Sequence, residues 1–400
     1  SVSFLQFKKL KSIVLYDAYF SEQHYAYGGL GRWVQGDLEE DYEPSSDEQN
    51  MDHMAQLTDL EEISFLALSE INKLKNFKKL KRIHEFFISL GTYSEEEYKE
   101  ATKNIQIDKV EIEETLVLPE NYSFIVGEGS SLSFHSDASL VVNGGMRVSG
   151  TTDHPVVFSG AHEEPWPGIL VLADHSDVTI SWLTMRGATG QGLAGYDYVG
   201  SFTIVEGRVH ISDSIFSDNF SEDALNLVNG RGVLERVTIT NTPSDGLDID
   251  FGELDIRNSV FSNIGSNTGA DAIDMSHASV TISNVKILNP TDKGLSIGES
   301  ADVEVNGIEI SNALVGIAVK DSSSLEAKNV KLSDIFLSDV MAYNKKSHYK
   351  GATVIIENIN SSQPQYLNQH GSSMRIDEVE VEPQRIDVDS LYGSLMQSIK

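Results

Sequence analysis

Apolar and polar residues alternate in short runs through the second half of the chain, and the runs recur. SEDALNL (Ser221 to Leu227), SDGLDID (Ser244 to Asp250), ADAIDMS (Ala270 to Ser276), DKGLSIG (Asp292 to Gly298) and LVGIAVK (Leu314 to Lys320) are variants of one phrase. Their small residues, Ala224, Gly246, Ala272, Gly294 and Gly316, step by 246−224 = 22, 272−246 = 26, 294−272 = 22 and 316−294 = 22. A fixed period of this size predicts a solenoid, in which each repeat buries its apolar face only against its neighbours. After each small residue come apolar pairs two apart: Leu225 and Leu227, Leu247 and Ile249, Ile273 and Met275, Leu295 and Ile297, Ile317 and Val319. Period two places each pair on one side of a strand. A second alternating strand follows, carrying Leu254 and Ile256, Val280 and Ile282, Val303 and Val305, Leu325 and Ala327. Nothing between these strands has helical period or length. A coil of about 22 residues with two or three strands reads as a parallel β-helix; the Leu-x-x-Leu-x-Leu pattern of a leucine-rich repeat is absent. Asn258, Asn284 and Asn329 fall at matching places after the second strand. They read as an asparagine stack at a turn, where the side chain bonds local backbone and tolerates a left-handed conformation.

The successive motifs Asp245-Gly-Leu-Asp248-Ile-Asp250, Asp271-Ala-Ile-Asp274-Met-Ser276, Asp292-Lys-Gly-Leu-Ser-Ile-Gly-Glu299 and Gly316-Ile-Ala-Val-Lys-Asp321 carry a resemblance. The chain resembles the right-handed parallel β-helix superfamily of pectate lyases, polygalacturonases and many bacterial surface proteins. It is most similar to bacterial β-helix modules often found near CotH-type kinase domains. The resemblance covers roughly Ile107 to Asn360 and implies an all-β, right-handed parallel β-helix solenoid. It also implies a secreted or cell-surface setting and a polysaccharide partner. The catalytic motifs of the named enzymes are missing: there is no Asp-Asp pair, no Gly-His-Gly and no Asp-Pro-His, and Trp182 is followed by Leu-Thr-Met.

The ends of the chain read differently. Residues 1–57 are mixed and acidic, with a strand expected in SIVLYDAYF (Ser12 to Phe20) and a solvated acidic linker from Gly36 to Thr58. Residues 58–105 read as a helical cap. Thr58-Asp-Leu-Glu61 is a capping box, Leu74, Phe77, Leu80, Ile83 and Phe87 recur at three and four, and Gly91 stops the run. Such a cap would cover the open cross-section and unpaired strand edges of the first coil. The cluster Lys73, Lys75, Lys78, Lys79, Lys81 and Arg82 reads as the wet face of this helix, or as a dock for an acidic partner. Residues 106–361 form the β-helix and 362–400 a C-terminal cap or tail. The glycine-rich stretch between Gly187 and Gly200 is too irregular for a strand and reads as a protruding loop.

Composition narrows the partners. Lys+Arg 30 against Asp+Glu 61 gives a formal charge of −31, a surface that repels nucleic acid and anionic membranes. There is no cysteine, hence no disulfide or thiolate chemistry. No run of about 18 apolar residues is present, so no membrane-spanning helix is expected. The chain opens SVSFLQFKKL, without an initiator Met or a signal pattern. It reads as a processed or truncated start, with a further domain expected upstream.

Candidate chemistry lies in the columns of the repeat. One column runs Asp223, Asp245, Asp271, Lys293; another, three residues on, runs Asn226, Asp248, Asp274, Ser296. The second column alternates with inward residues and so faces out. Carboxylates stacked about 4.8 Å apart repel by about 3.5 kcal/mol at an effective dielectric near 20. They need compensation by a cation, by Lys293, by shared protons or by hydrogen bonds. Three readings follow. The aspartates hold turn geometry in a non-catalytic structural or adhesive solenoid. Or Asp223, Asp245, Asp248, Asp250, Asp271 and Asp274 supply all-oxygen ligands, which select calcium over zinc. Or Asp245, Asp248, Asp271, Asp274 and Lys293 form a catalytic set of a glycoside hydrolase or polysaccharide lyase. Trp182, Tyr196, Tyr198 and Phe251 are candidate sugar-stacking residues. The histidines, His135 and His162 among them, are scattered and read as surface or turn residues.

Overall fold

The computed structural model describes side chains for residues 111–118, 123–190, 200–266, 269–388 and 390, and backbone alone for the strands at 12–15, 62–65, 82–85, 87–89, 106–107 and 109–110. The described chain is a parallel β-solenoid of about 11 turns with almost no helix. Each turn contributes to three faces. Face A is built from strands such as Asp223–Val228, Asp245–Asp250 and Lys293–Gly298. Face B includes Arg231–Glu235 and Glu253–Arg257, and face C includes Thr238–Thr242 and Val260–Ile264. Equivalent repeat positions pair directly: Asn226 with Asp248, Asp248 with Asp274, and Asp274 with Ser296. The apolar pairs all point inward, and Leu247, Ile249, Ile273, Leu295, Ile297, Ile317 and Val319 are fully buried in one continuous core. Turn by turn, each of these side chains covers the one before it, as the repeat requires.

The corners explain the asparagines. Asn258, Asn284, Asn329 and Asn358 have φ of 51, 53, 57 and 60°. Their amides bond from turn to turn, as from Asn358 Nδ2 to Asn329 Oδ1 at 2.6 Å. A second ladder, Asp218–Asn241–Asn263–Asn289–Asn312, lines the corner after face C, with links of 2.9 to 3.1 Å. Asparagine suits both because it enters the left-handed region at low cost and can donate and accept along the stack.

The helical cap expected over 58–105 is corrected where the backbone is described. Glu62–Phe65, Arg82–Glu85 and Phe87–Ser89 are strands. The first lies between Ser12–Leu15 and Arg82–Glu85, all parallel, and Gln106–Ile107 continues that sheet. Phe87–Ser89 pairs antiparallel with Ser123–Val126. The three-and-four spacing that includes Ile83 and Phe87 is a local preference, and pairing to neighbouring strands overrides it. The strand expected in SIVLYDAYF is present as Ser12–Leu15. The acidic linker, the basic cluster before Arg82 and the helix expected at Ser94 lie outside the described residues. At the other end, strands at Tyr366–Asn368 and Ser373–Ile376 carry faces A and B past residue 361. Residues 391–400 lie outside the described chain.

Candidate functional site

Face A has an outer surface that is apolar at both ends. Val141 and Leu170 pack together toward the N-terminal end. Val315, Ala318, Met341 and Tyr343, with Leu367 and Val388 against them, close the C-terminal end. Between them lies a polar window in which both sequence columns meet. Asp248 and Asp274 face out, as alternation with Leu247, Ile249, Ile273 and Met275 demands. The Asp223–Asp245–Asp271 column joins them because the strand kinks at its entry. Ala224 and Leu225 are consecutive yet both buried in the core, as are Ala272 and Ile273, which turns the preceding aspartate outward. Carboxylate oxygens of Asp245, Asp271 and Asp274 come within 4.8 Å of one another.

Counter-charges come from later turns. Lys293 Nζ is buried and donates to Asp271 Oδ1 and Oδ2 at 3.0 and 3.3 Å, and also to Asp292. That is the geometry of a charge partner. Lys320 Nζ donates to Ser296 Oγ at 2.7 Å and lies 3.9 Å from Asp274 Oδ1. Gly298 makes room for its stem, since a Cβ there would come 2.7 Å from Lys320 Cε. The segment 344–352, which lengthens one turn (Leu325 pairs Val354, 29 residues on), brings a third cation. Asp321 anchors that segment, accepting the backbone N–H of Lys345 and Lys346 at 2.7 and 2.8 Å.

Protonation follows from this placement. Burial, then the charge of Asp245, pushes the Asp223 carboxyl up to about 8. Burial and Asp271 do the same for Asp245, and burial and Asp223 for Asp248, each up to about 8. Asp250 is raised by burial and by Asp274. For Asp271, burial acts upward but Lys293 and Lys320 outweigh it and hold the carboxyl below the usual range. Burial, with Lys320 and Lys293 nearby, lowers the Lys345 ammonium. One patch therefore holds protonated and ionised carboxyl groups side by side at neutral pH.

An aromatic shelf adjoins the patch at the corner after face A. Phe251 is 57% exposed and stacks on His277, ring centroids 4.8 Å apart. Tyr349 Oη lies 2.9 Å from His277 Nε2. Phe251 and His277 have φ of 57 and 53°, a region disfavoured for bulky residues and often found at functional sites. Of the other stacking candidates, Trp182 sits at a different corner, between faces C and B, and Tyr196 and Tyr198 lie outside the described residues. Lys320, Lys345, His277 and Tyr349 were not legible as site residues from the repeat. The one signal was the longer turn after Tyr343, where the step is 29 residues instead of 22.

The fold and its stacked corners define a right-handed β-helix repeat protein. In agreement, a family model described as right handed beta helix region matches residues 223–365. No curated protein sequence matches the chain. Two solved structures share distant likeness. One is the catalytic unit of a thermostable GH87 alpha-1,3-glucanase from Streptomyces thermodiastaticus strain HF3-3, with 9% identity, TM-score 0.29, and coverage of 69% of this chain and 66% of that one. The other is a GH87 alpha-1,3-glucanase catalytic domain in complex with tetrasaccharides, with 10% identity, TM-score 0.30, and coverage of 73% and 67%. Neither likeness bears on chemistry.

Proposed function

We propose that the polar window on face A binds a polysaccharide and cleaves a glycosidic bond with aspartates held in opposite protonation states. The observation that carries this is the group Asp245, Asp248, Asp271 and Asp274. Two of its members are pushed up to about 8, while Asp271 is held low and Asp274 is paired with Lys320. Glycoside hydrolysis needs one carboxylic acid and one carboxylate across the scissile bond. Oxygens within 4.8 Å match the close spacing, about 5–5.5 Å, of the double-displacement route. In this reading Asp248 or Asp245 protonates the leaving oxygen, and the Asp274 carboxylate attacks the anomeric carbon. Water then releases the glycosyl ester, with the first aspartate accepting its proton. Lys293 keeps Asp271 charged, and the Phe251–His277–Tyr349 shelf offers a face for a sugar ring.

Calcium belongs to the same proposal in an accessory role. The donors are all oxygen, which suits a hard cation, but Asp271 is already taken by Lys293. Asp245, Asp248 and Asp274 would hold the ion, which would offset their mutual repulsion. A secreted or cell-surface location is also part of this reading.

One observation favours the non-catalytic alternative. Asp245 Oδ1 accepts the Asp271 N–H at 2.9 Å and Asp271 Oδ1 accepts the Lys293 N–H at 3.2 Å, so these aspartates also tie one turn to the next. Reducing-end release from a panel of neutral and acidic polysaccharides separates the readings. Asp248→Asn should slow release by about 10²–10⁴-fold if it is the general acid, with binding retained. Binding without release by the wild type removes cleavage, and absence of both leaves the corner-holding role.

A further inference from the structure

The first turns of the solenoid carry a second cluster, on the outside of face C and far from the aspartates in sequence. Glu111 lies on the strand Lys109–Ile112, next to the inward Ile112. His135 follows the next strand of that face, Ser131–Phe134, and its N–H donates to Ile112 O at 2.9 Å. His162 follows the third, Val156–Gly160, inside a tight turn. Gly160 permits that turn, because a Cβ there would collide with Glu164 O at 1.6 Å. His162 itself is left-handed, with φ 55 and ψ 23°. This strained backbone brings its ring to 6.1 Å from that of His135, centroid to centroid. The ligand atoms of Glu111, His135 and His162 lie within 4.8 Å of one another.

Two observations set this cluster apart from a chance meeting of surface groups. His135 Nε2 is shut off from solvent and makes no hydrogen bond. The atom it faces, Glu111 Oε2, is 3.9 Å away, beyond hydrogen-bond reach. Ser133 Oγ, on the residue that pairs with Glu111 in the neighbouring turn, is also buried without a partner. Buried polar atoms are normally satisfied, and those that are not call for an ion or another partner.

We propose that Glu111, His135 and His162 bind one borderline divalent transition-metal ion, of which zinc is the representative. Two imidazoles and one carboxylate are a recurrent three-residue zinc set that leaves a fourth position for water. Nitrogen donors argue against calcium or magnesium, which take oxygen. Around a tetrahedral ion with bonds of about 2.0–2.2 Å the donors would stand roughly 3.4 Å apart, so the side chains need only close in slightly. Each ligand comes from a different turn, so the ion pins the first three turns of face C together. Those turns are at the end of the solenoid, where stacking is one-sided.

The test is titration of the full chain, tag-free and stripped with chelator, with zinc and separately with cobalt at pH 7.5. One ion should bind per chain with micromolar or tighter affinity, cobalt should give the intense visible bands of a four-coordinate site, and the melting temperature should rise. His162→Gln, at an exposed position that the core does not need, should weaken binding at least tenfold and abolish the cobalt bands, as should Glu111→Gln and His135→Gln. Excess calcium should not compete, and Asp248→Asn with Asp274→Asn should leave zinc binding intact. No binding by the wild type overturns the proposal. So does equal binding by wild type and His162→Gln, or loss of zinc binding in the double aspartate variant alone.

Discussion

Replacing Asp248 by Asn removes one titrating group while keeping shape and an oxygen for the Asn226 amide, which now bonds Asp248 Oδ2 at 2.9 Å. Burial and Asp223 raise the Asp248 carboxyl from 3.8 to about 8 in the folded protein. The folded state therefore holds a proton that the unfolded state has released between these values. The stability that this proton contributes is fully present below about pH 4, and is lost as pH rises through 8. Each pH unit between the two values is worth about 1.4 kcal/mol, so the whole span sets an upper bound of roughly 5 kcal/mol. Coupling to Asp223 and Asp274 spreads and reduces it. The variant lacks this loss. Its stability relative to wild type should thus climb by up to about 1.4 kcal/mol per pH unit from pH 5 to 7, then level off above 8. Denaturant midpoints of both proteins, taken at half-unit intervals from pH 4 to 9 at fixed ionic strength, measure the difference. If Asp248 also serves as general acid, the alkaline limb of the activity profile should fall at the pH where the stability difference levels off. A flat difference, or a variant that loses ground as pH rises, would show that the carboxyl is ionised across the range and would refute the protonation argument.

Three other outcomes follow from the same geometry. Lys293→Met leaves Asp271 and Asp292 buried without their partner and should cost about 3–5 kcal/mol in chemical denaturation; a loss below about 1 kcal/mol would mean that Lys293 is not their main counter-ion. Phe251→Gly relieves a left-handed phenylalanine and should raise stability by about 1 kcal/mol while weakening polysaccharide binding, and unchanged binding would remove the aromatic shelf from the site. Calcium at 100 times its dissociation constant should stabilise the wild type by about 2.7 kcal/mol and leave the Asp248→Asn, Asp274→Asn double variant unmoved in thermal unfolding, whereas equal responses would exclude these columns as its site.

Much of this molecule is legible without a structure because a solenoid repeats locally what it does globally. The step of 22 residues and the alternation around Leu247 and Ile249 determine which residues face in. Equal turn length then places Asp248 over Asp274. The asparagines at 258, 284 and 329 declare a corner because few other residues accept its backbone. What breaks the repeat needed the tertiary structure. Strict alternation cannot show that Ala224 and Leu225 both turn inward, the kink that merges two columns of aspartates into one patch. Nor can it show that Lys320 and Lys345 arrive from later turns to set opposite protonation states, since those depend on burial and distance. The stretch 58–105 carries helical spacing, yet three of its segments pair as strands, because hydrogen bonds to neighbouring strands outweigh a local pattern. Glu111, His135 and His162 stand 24 and 27 residues apart and share no residue type across the set. Only the coiling of the backbone, with a glycine that lets one turn fold back tightly, brings them together.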